Sequence, residues 1–239
     1  MQEVLKVQSL DFSYGRQQIL EQATFTIAPG ECLGILGSNG SGKTTLIHCI
    51  LGENEHSVDS VWLFGKRYDG RASEIKRQLG VVPDNELLLD YLTMREYLRF
   101  MGTAFGMEED KAQAAMEQWS CRLKMDAYYN KMLKSFSHGM KKKVQMIGAL
   151  MHSPQFLIID EPTNGLDIET IAELKQILSA LKENGVAILI STHILEFAEK
   201  VCSEVMILHN KRLSKKLEMQ KVGGNLEQIF MNYIHGGSI

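Results

Sequence analysis

A glycine-rich segment near the N-terminus has residue types and spacing that suit the binding of phosphate groups. Residues 37–44 read Gly-Ser-Asn-Gly-Ser-Gly-Lys-Thr and match the pattern G-x-x-x-x-G-K-[ST] between a predicted strand and a predicted helix. Glycines allow the tight turn that points successive N–H groups at an anion, and the helix N-terminus adds partial positive charge. Lys43 is then placed to reach the β- and γ-phosphates of a nucleotide, and the Thr44 hydroxyl to ligate Mg²⁺.

Two adjacent acids follow an apolar run further along the chain. Residues 156–161 read Phe-Leu-Ile-Ile-Asp-Glu, which predicts a buried strand that ends at Asp160 and Glu161. Asp160 is suited to holding Mg²⁺, usually through water, and Glu161 to polarising an attacking water as a general base. The alternative is that the two acids only cap the turn before Pro162. The presence of Lys43 in a phosphate-binding pattern favours the chemical role.

The elements around these motifs alternate between apolar runs and amphipathic helices. We predict strands over residues 4–10, 23–27, 31–36, 58–64, 156–159 and 186–190. Helices are predicted over residues 45–51 and 139–152, along the face of Ile171, Leu174, Ile177, Leu178 and Leu181, and after Gly223. Strands that are apolar throughout are typical of a sheet covered on both faces, so the pattern predicts an α/β fold with a mostly parallel core sheet.

Residues 85–135 have a different composition from the rest of the chain. Glu, Met, Leu, Lys and Tyr dominate, and apolar residues such as Leu98, Met101 and Phe105 recur at helical spacing. We therefore predict a helical subdomain over 85–135, inserted into a core formed by residues 1–84 and 136–239.

Composition restricts the class of protein. The chain has 239 residues, 44% of them hydrophobic, and a net charge of −3, so we expect no nucleic-acid partner. The basic runs at 141–143 and 211–216 are predicted to be solvated surface. The four cysteines lack the spacing of a metal or disulfide framework, which fits reduced thiols in the cytosol. Neither a signal peptide nor an apolar run of about 18 residues is recognisable, so we expect no membrane-spanning segment.

Over essentially its whole length, the order of motifs resembles the nucleotide-binding subunit of ATP-binding cassette (ABC) transporters. Tyr14, in the sequence Asp-Phe-Ser-Tyr-Gly, is similar to the family's aromatic residue that stacks on adenine. Residues 135–140, Ser-Phe-Ser-His-Gly-Met, stand where the family has its signature, usually LSGGQ, and are called the signature segment below. In the family this segment caps the γ-phosphate bound by the other half of a dimer; Ser137 and Gly139 match it, whereas His138 and Met140 depart.

Three further positions resemble functional segments of the family. Residues 164–167, Asn-Gly-Leu-Asp, are similar to the D-loop, which runs along the dimer seam. His193 follows a predicted strand, like the switch histidine that contacts the γ-phosphate or holds Glu161 and water in line. Asp84 stands where the family usually has a glutamine. A carboxylate can touch Mg²⁺ or its water, but it cannot donate a hydrogen bond as an amide does.

The resemblance implies a fold, ligands and an activity. The fold is a P-loop NTPase with a mostly parallel core sheet, N-terminal antiparallel strands and an inserted helical subdomain. The activity is ATP hydrolysis, with Glu161, His193 and Lys43 as catalytic residues. The residues implied to bind ATP are Tyr14, Gly37, Ser38, Asn39, Gly40, Ser41, Gly42, Lys43, Thr44, Thr45, Ser137 and Gly139. Those implied to bind Mg²⁺ are Thr44, Asp160 and Asp84.

The resemblance also implies partners. It predicts a peripheral subunit at the cytoplasmic face of the cell membrane, acting with a separate transmembrane permease and a second nucleotide-binding subunit, identical or not. Residues 83–93 are similar to the bacterial exporter branch with ABC-2-type partners. Leu87, Leu88, Leu89, Tyr91 and Leu92 either contact that permease or belong to the core of the insertion. The alternative functions are a soluble ABC ATPase and a nucleotide-gated regulator not engaged in transport.

Overall fold

The computed structural model describes residues 3–54, 60–85 and 88–236, and their strands belong to two sheets. The strands in chain order are β1 (Leu5–Tyr14), β2 (Gln17–Ile27), β3 (Cys32–Leu36), β4 (Val61–Leu63), β5 (Lys66–Arg67), β6 (Leu79–Val82), β7 (Phe156–Asp160), β8 (Ala187–Thr192), β9 (Glu204–His209), β10 (Arg212–Leu213) and β11 (Leu217–Glu218). The helices are α1 (Lys43–Ile50), α2 (Ser73–Lys76), α3 (Met94–Ala104), α4 (Glu109–Arg122), α5 (His138–Leu150), α6 (Ile168–Glu183), α7 (Leu195–Val201), α8 (Met219–Val222) and α9 (Leu226–Ile234).

The larger sheet is mostly parallel, as the apolar strands predict. Its order is β10-β9-β3-β8-β7-β6, and the pairs from β9 to β6 are all parallel. Only the short β10 and β11 run antiparallel, both against β9. The smaller sheet, β2-β1-β4-β5, is antiparallel. The predicted α/β fold class with N-terminal antiparallel strands is confirmed.

Some element boundaries differ from the sequence prediction. The predicted strands at 4–10 and 23–27 are parts of β1 and β2, which continue toward each other as one long hairpin with shifts of register. α1 begins at Lys43 rather than Thr45, because Gly42 at φ 108° ends the glycine-rich loop and its carbonyl already accepts from the Leu46 N–H at 2.9 Å. β9 was not predicted, and Val58 of the predicted fourth strand lies outside the described residues.

The apolar core lies on both faces of the parallel sheet. On one face, residues of α1 such as Leu46 and Ile50 pack with the antiparallel sheet and with Leu189 of β8. On the other face, Leu98 of α3 and Met116 of α4 belong to one cluster with α5, α6 and α7. The helices of the predicted insertion therefore share a core with the parallel sheet. The boundaries at 85 and 135 stay a prediction.

The two ends of the helical stretch are hydrogen-bonded to each other through residues 90–95 and 129–134, which we call the neck. The main-chain bonds are Met94 N to Lys131 O (3.1 Å), Arg95 N to Tyr129 O (3.0 Å), Leu133 N to Leu92 O (2.9 Å) and Lys134 N to Asp90 O (3.0 Å). Thr93 and Glu96 form a capping box that starts α3 within the neck. The chain thus leaves the parallel sheet and returns to it along paired segments.

Two sequence predictions about surfaces can be compared with the fold. Leu88 and Leu92 pack partly buried against the core, whereas Leu89 and Tyr91 are 50% and 82% exposed, and Leu87 lies outside the described residues. Leu88 and Leu92 therefore fit the interpretation as core residues, whereas Leu89 and Tyr91 are accessible for contact with another protein. None of the helices in the described ranges combines the length and the apolar character needed to cross a bilayer.

Candidate functional site

Residues 37–44, called the phosphate loop below, connect the carboxyl end of β3 to α1. Gly40 and Gly42 have φ of +77° and +108°, which favour glycine over residues with a Cβ. A Cβ at Gly37 would lie 2.5 Å from the Ser41 hydroxyl oxygen, so the loop has no room for a side chain there. Ser41 Oγ is buried and has no hydrogen-bond partner among the described residues. A buried hydroxyl without a partner is costly, and a phosphate oxygen would satisfy it.

Lys43 lies almost wholly inside the loop, with 5% of its surface exposed. Its amine donates to the carbonyls of Gly37 at 2.9 Å and Ser38 at 3.2 Å. It also forms an ion pair with Glu161 Oε1 at 3.1 Å. Burial of an ammonium and a carboxylate is tolerated when they neutralise each other and keep their hydrogen bonds. The loop lysine and the acid at the end of β7 are thus already in contact.

Asp160 ends β7 and is held by two hydroxyl groups. Thr44 Oγ donates to Asp160 Oδ2 at 2.7 Å, and Ser191 Oγ donates to Asp160 Oδ1. Ser191 was not among the predicted site residues. It pairs with Asp160 in the register of neighbouring parallel strands, which sequence alone does not give. The carboxylate and the Thr44 hydroxyl supply oxygen ligands of the kind that Mg²⁺ prefers.

Glu161 adopts a left-handed main-chain conformation, with φ +46° and 6% exposure. Its carboxylate oxygen Oε2 lies 2.9 Å from Nδ1 of His193, whose side chain is 40% exposed. The Glu161 N–H donates to the Ser191 carbonyl at 3.0 Å, which holds the strained residue in place. Strained conformations at non-glycine residues cluster at functional sites. The structure thus brings Lys43, Glu161 and His193 together.

Asp84 follows β6 and accepts a hydrogen bond from Asn164 Nδ2 at 3.0 Å. Beside it, Lys142 of α5 is 1% exposed, so the predicted solvated surface at 141–143 is wrong for this residue. Successive helical residues point about 100° apart, which turns the middle lysine inward. Burial lowers the pKa of Lys142, and the negative charges of Asp84, Asp160 and Glu161 oppose that decrease.

Tyr14 lies at the end of β1, where it pairs with Gln17 across the hairpin. Its ring is 51% exposed and meets Phe12 edge to face, with centroids 4.9 Å apart. A Cβ at Gly42 would lie 2.9 Å from Cγ2 of Ile19 in β2, so this hairpin packs against the phosphate loop. The remaining predicted ATP-binding residues on the loop and α1 are exposed or half-buried: Ser38, Asn39, Gly40 and Thr45.

The signature segment makes its contacts elsewhere. Ser137 is the N-cap of α5, and its hydroxyl accepts from the Met140 N–H at 3.3 Å. A Cβ at Gly139 would collide with the Gly165 carbonyl, and a Cβ at Gly165 would collide with the His138 ring. Within the described ranges, no hydrogen bond links Ser137 or Gly139 to the phosphate loop. Nowhere in the described residues do three or more His, Cys, Asp or Glu side chains form a cluster arranged to hold a metal ion.

Comparison with known proteins shows the family to which the chain belongs. The family model described as "ABC transporter" matches residues 20–164. The ABC transporter ATP-binding protein NatA of Bacillus subtilis (strain 168) is 32% identical over 216 residues, which cover 90% of this chain and 88% of NatA. The Nod factor export ATP-binding protein I of Rhizobium etli is 32% identical over 209 residues, covering 85% of this chain and 66% of that protein.

A solved structure described as the ATP binding subunit of an ABC transporter superposes with a TM-score of 0.85. It is 31% identical in sequence, and the match covers 98% of this chain and 95% of the other. The chain therefore belongs to the ABC transporter family, as an ATP-binding protein.

Proposed function

We propose that this chain hydrolyses ATP and thereby powers a separate membrane-spanning partner, as the nucleotide-binding subunit of an exporter. The observation that carries the proposal is the arrangement at the carboxyl ends of β3, β7 and β8. There the amine of Lys43 contacts Glu161 at 3.1 Å, and Glu161 contacts His193 at 2.9 Å. Phosphoryl transfer requires mainly positioned charge and a positioned water molecule, and these groups provide both.

ATP binds along the phosphate loop in this proposal. The main-chain N–H groups of residues 37–45 and the unpartnered Ser41 hydroxyl face the phosphates, and Tyr14 stacks on the adenine. Lys43 turns from Glu161 to the β- and γ-phosphates, because a triphosphate offers more negative charge than one carboxylate. The buried Ser41 hydroxyl supports this assignment, since it has no partner in the described part of the protein.

The residues that would hold Mg²⁺ are Thr44 and Asp160, with Asp84 as a further ligand of the ion or of its water. Thr44 Oγ and Asp160 Oδ2 lie 2.7 Å apart, so both oxygens can face one small cation. When bound, Mg²⁺ neutralises charge on the phosphate oxygens. Ser191 keeps the second oxygen of Asp160 occupied and so orients the carboxylate.

Glu161 is proposed as the general base. It accepts a proton from the water whose oxygen bonds to the γ-phosphorus, while the bond to the bridging oxygen of ADP breaks. His193 holds the Glu161 carboxylate through Nδ1, and its exposed side chain faces the place of the γ-phosphate. A Glu161→Gln variant keeps the shape but loses the base, so we expect hydrolysis to fall at least about 100-fold while ATP affinity changes little.

A second nucleotide-binding subunit completes the site in this proposal. Ser137 and Gly139 of that subunit cap the γ-phosphate, and closure of the dimer drives the membrane partner. Ser137 is exposed and Gly139 is half-buried, and neither has a hydrogen bond to its own phosphate loop within the described ranges, which supports a role between subunits. The D-loop at 164–167 contacts the signature segment through Gly165, which places both on one surface.

The subunit is proposed to sit at the cytoplasmic face of the membrane. Residues 85–135 form the helical subdomain and residues 1–84 and 136–239 the ATP-binding core, with the permease docked on the helical part. Exposed Leu89 and Tyr91 provide an apolar contact there. Export is supported by the similarity to a protein named for Nod factor export.

Two measurements test the proposed function. Wild type, Glu161→Gln and Lys43→Ala are compared for phosphate release; equal rates in all three would refute ATP hydrolysis at this site. Tagged Glu161→Gln protein is then purified from host membranes with ATP and Mg²⁺, and co-purifying chains are identified by mass spectrometry. A multi-span membrane protein in near-equal amount is expected. Recovery only in the soluble fraction would refute the transporter role and favour a soluble ATPase or regulator.

A further inference from the structure

Helix α5 places two long side chains on the short segment that follows β6. Lys142 Nζ donates to the Pro83 carbonyl at 2.8 Å, and Gln145 Nε2 donates to the Asn85 carbonyl at 2.8 Å. Residues three apart lie on the same face of a helix, so both side chains reach the same segment. Between the two carbonyls, Asp84 extends its carboxylate toward Asn164. The main chain on either side of Asp84 is therefore held by α5.

Lys142 makes a second contact that ties this segment to β7. Its amine donates to the Asp160 carbonyl at 2.9 Å. β6 and β7 are parallel neighbours, with Val82 opposite Ile159, so Pro83 and Asp160 are the next residues at the same edge of the sheet. One amine thus bridges the ends of the two strands that carry the acidic residues of the site.

The burial of the Lys142 ammonium costs free energy of folding unless nearby negative charges compensate for its lost hydration. An ammonium that is 1% exposed loses nearly all its hydration, and both of its hydrogen-bond acceptors here are neutral carbonyls. The compensating charges are the carboxylates of Asp84, Asp160 and Glu161. A methionine would fill a similar volume without that cost. Stability alone therefore gives no reason for a lysine at this position.

We propose that Lys142 is a positioning residue for hydrolysis, which holds the Asp84 segment against the end of β7 and balances the charge of the neighbouring acids. The inference rests on the proposed ATPase function. Because Ser137 of the signature segment is the N-cap of α5, the Lys142 side chain also connects the beginning of this helix to Asp160. Lys142 touches neither nucleotide nor water in this role; it acts through the main chain at residues 83 and 160.

Substitution of Lys142 by Met tests the role in turnover. It removes the amine and keeps the length, so we expect kcat to fall about 30-fold by displacement of Asp84 and Asp160, with KM for ATP within about threefold. Lys142→Gln retains one neutral donor and should recover part of the loss. Lys141→Met is the matched control, because the Lys141 amine pairs with Asp90 instead. The kcat of this variant should stay within about twofold of the wild-type value. A Lys142→Met protein that is folded and has wild-type kcat would overturn the proposal.

Hydrogen exchange of the nucleotide-free protein provides a readout that does not depend on turnover. Lys142→Met should accelerate exchange in the peptide over residues 79–85 severalfold, with no change in β3. Gln145→Met should do the same, and the double variant should add little, because both side chains hold one segment. Unchanged exchange would overturn the positioning role even if ATPase activity is normal. An inactive wild type with the expected exchange pattern would instead refute the ATPase function. If Lys142→Met does not fold, Lys142→Gln and Gln145→Met decide both measurements.

Discussion

The phosphate loop and the signature segment differ in how far their polar groups are already paired within one chain. Around the loop, Lys43 and Asp160 are 5% and 2% exposed. Lys43 bonds to loop carbonyls and to Glu161, and Asp160 bonds to the hydroxyls of Thr44 and Ser191. In the signature segment, Ser137 and His138 are exposed, and the Ser137 hydroxyl caps its own helix. The first region is organised by the fold alone, whereas the second presents its groups outward. In the proposed function, a single chain therefore carries a complete binding loop and an incomplete catalytic site.

The largest expected effect comes from the phosphate loop. Lys43→Ala removes the ammonium that pairs with Glu161 and leaves that buried carboxylate facing the phosphates. We expect the Kd for ATP to rise on the order of 100-fold. Calorimetry on dilute protein measures this, with Ser137→Ala as the comparison that should bind normally. Equal losses of affinity in both variants would show that the two regions act together within one chain.

The next effect separates turnover from binding. Ser137→Ala removes a hydroxyl proposed to meet the γ-phosphate of the other subunit, so we expect kcat to fall about 10-fold while Kd is unchanged. Ser135→Ala is the matched control, since its hydroxyl donates to the Met132 carbonyl, three residues earlier, at 2.7 Å. The ATPase rate of the wild type should also rise with more than the first power of protein concentration. A linear dependence at all concentrations would contradict a shared site.

A smaller effect concerns the contact between the signature segment and the D-loop. Gly165 has φ +74°, and a Cβ there would collide with the His138 ring. Gly185 has φ +82° with nothing within 4 Å of its Cβ position, so it controls for main-chain strain. We expect Gly185→Ala to lower the free energy of unfolding by about 1 kcal/mol, and Gly165→Ala by about 1 kcal/mol more. Chemical denaturation measures both. Equal losses would mean that His138 moves aside freely.

The smallest effect is a pH dependence at the end of the D-loop. Asp167 caps α6, and hydrogen bonds from the Thr170 N–H and then its side chain lower the pKa of Asp167. Because the pKa of Asp167 is lower in the folded than in the unfolded protein, the ionised carboxylate stabilises the fold at pH values above the unfolded pKa. This stabilisation is lost as the pH falls through the pKa of the folded protein. The carboxylate is exposed, so the contribution is below about 1 kcal/mol. Asp167→Asn keeps a capping oxygen but cannot titrate, so the urea midpoint of unfolding should change less between pH 5 and pH 3 than it does in the wild type. An equal change of the midpoint in both proteins would contradict this.

The phosphate loop was predictable from sequence because its chemistry lies in eight consecutive residues. The same holds for Asp160 and Glu161, which are adjacent acids at the end of the apolar run of β7. The mostly parallel sheet followed from strands that are apolar on both faces. β9 was missed, although its central residues are apolar and buried, because it follows α7 closely and no chemical motif adjoins it as one adjoins β3 and β7. Strands of this length are hard to distinguish from helical segments by periodicity.

The roles of the basic runs depend on tertiary contacts that the sequence does not contain. Lys211 and Arg212 are exposed, as the prediction of solvated surface requires, and Arg212 pairs with Glu21. Lys142 also lies in a run of basic residues, yet it is buried, because its face of α5 packs against the ends of β6 and β7. The pairing of Asp84 with Asn164 joins residues 80 positions apart. Only the folded chain shows these two partners.

The neck has a mechanical consequence for any protein that pulls on α3 or α4. The paired segments 90–95 and 129–134 connect the helices to the rest of the protein. A force on the helices is therefore divided between two chain segments that are hydrogen-bonded to each other. Two joined strands resist twisting better than one flexible connection, and bending is confined to residues outside the pairing. Torque applied to the helices is therefore shared by both segments of the neck, and the neck closes the chain loop that contains α3 and α4.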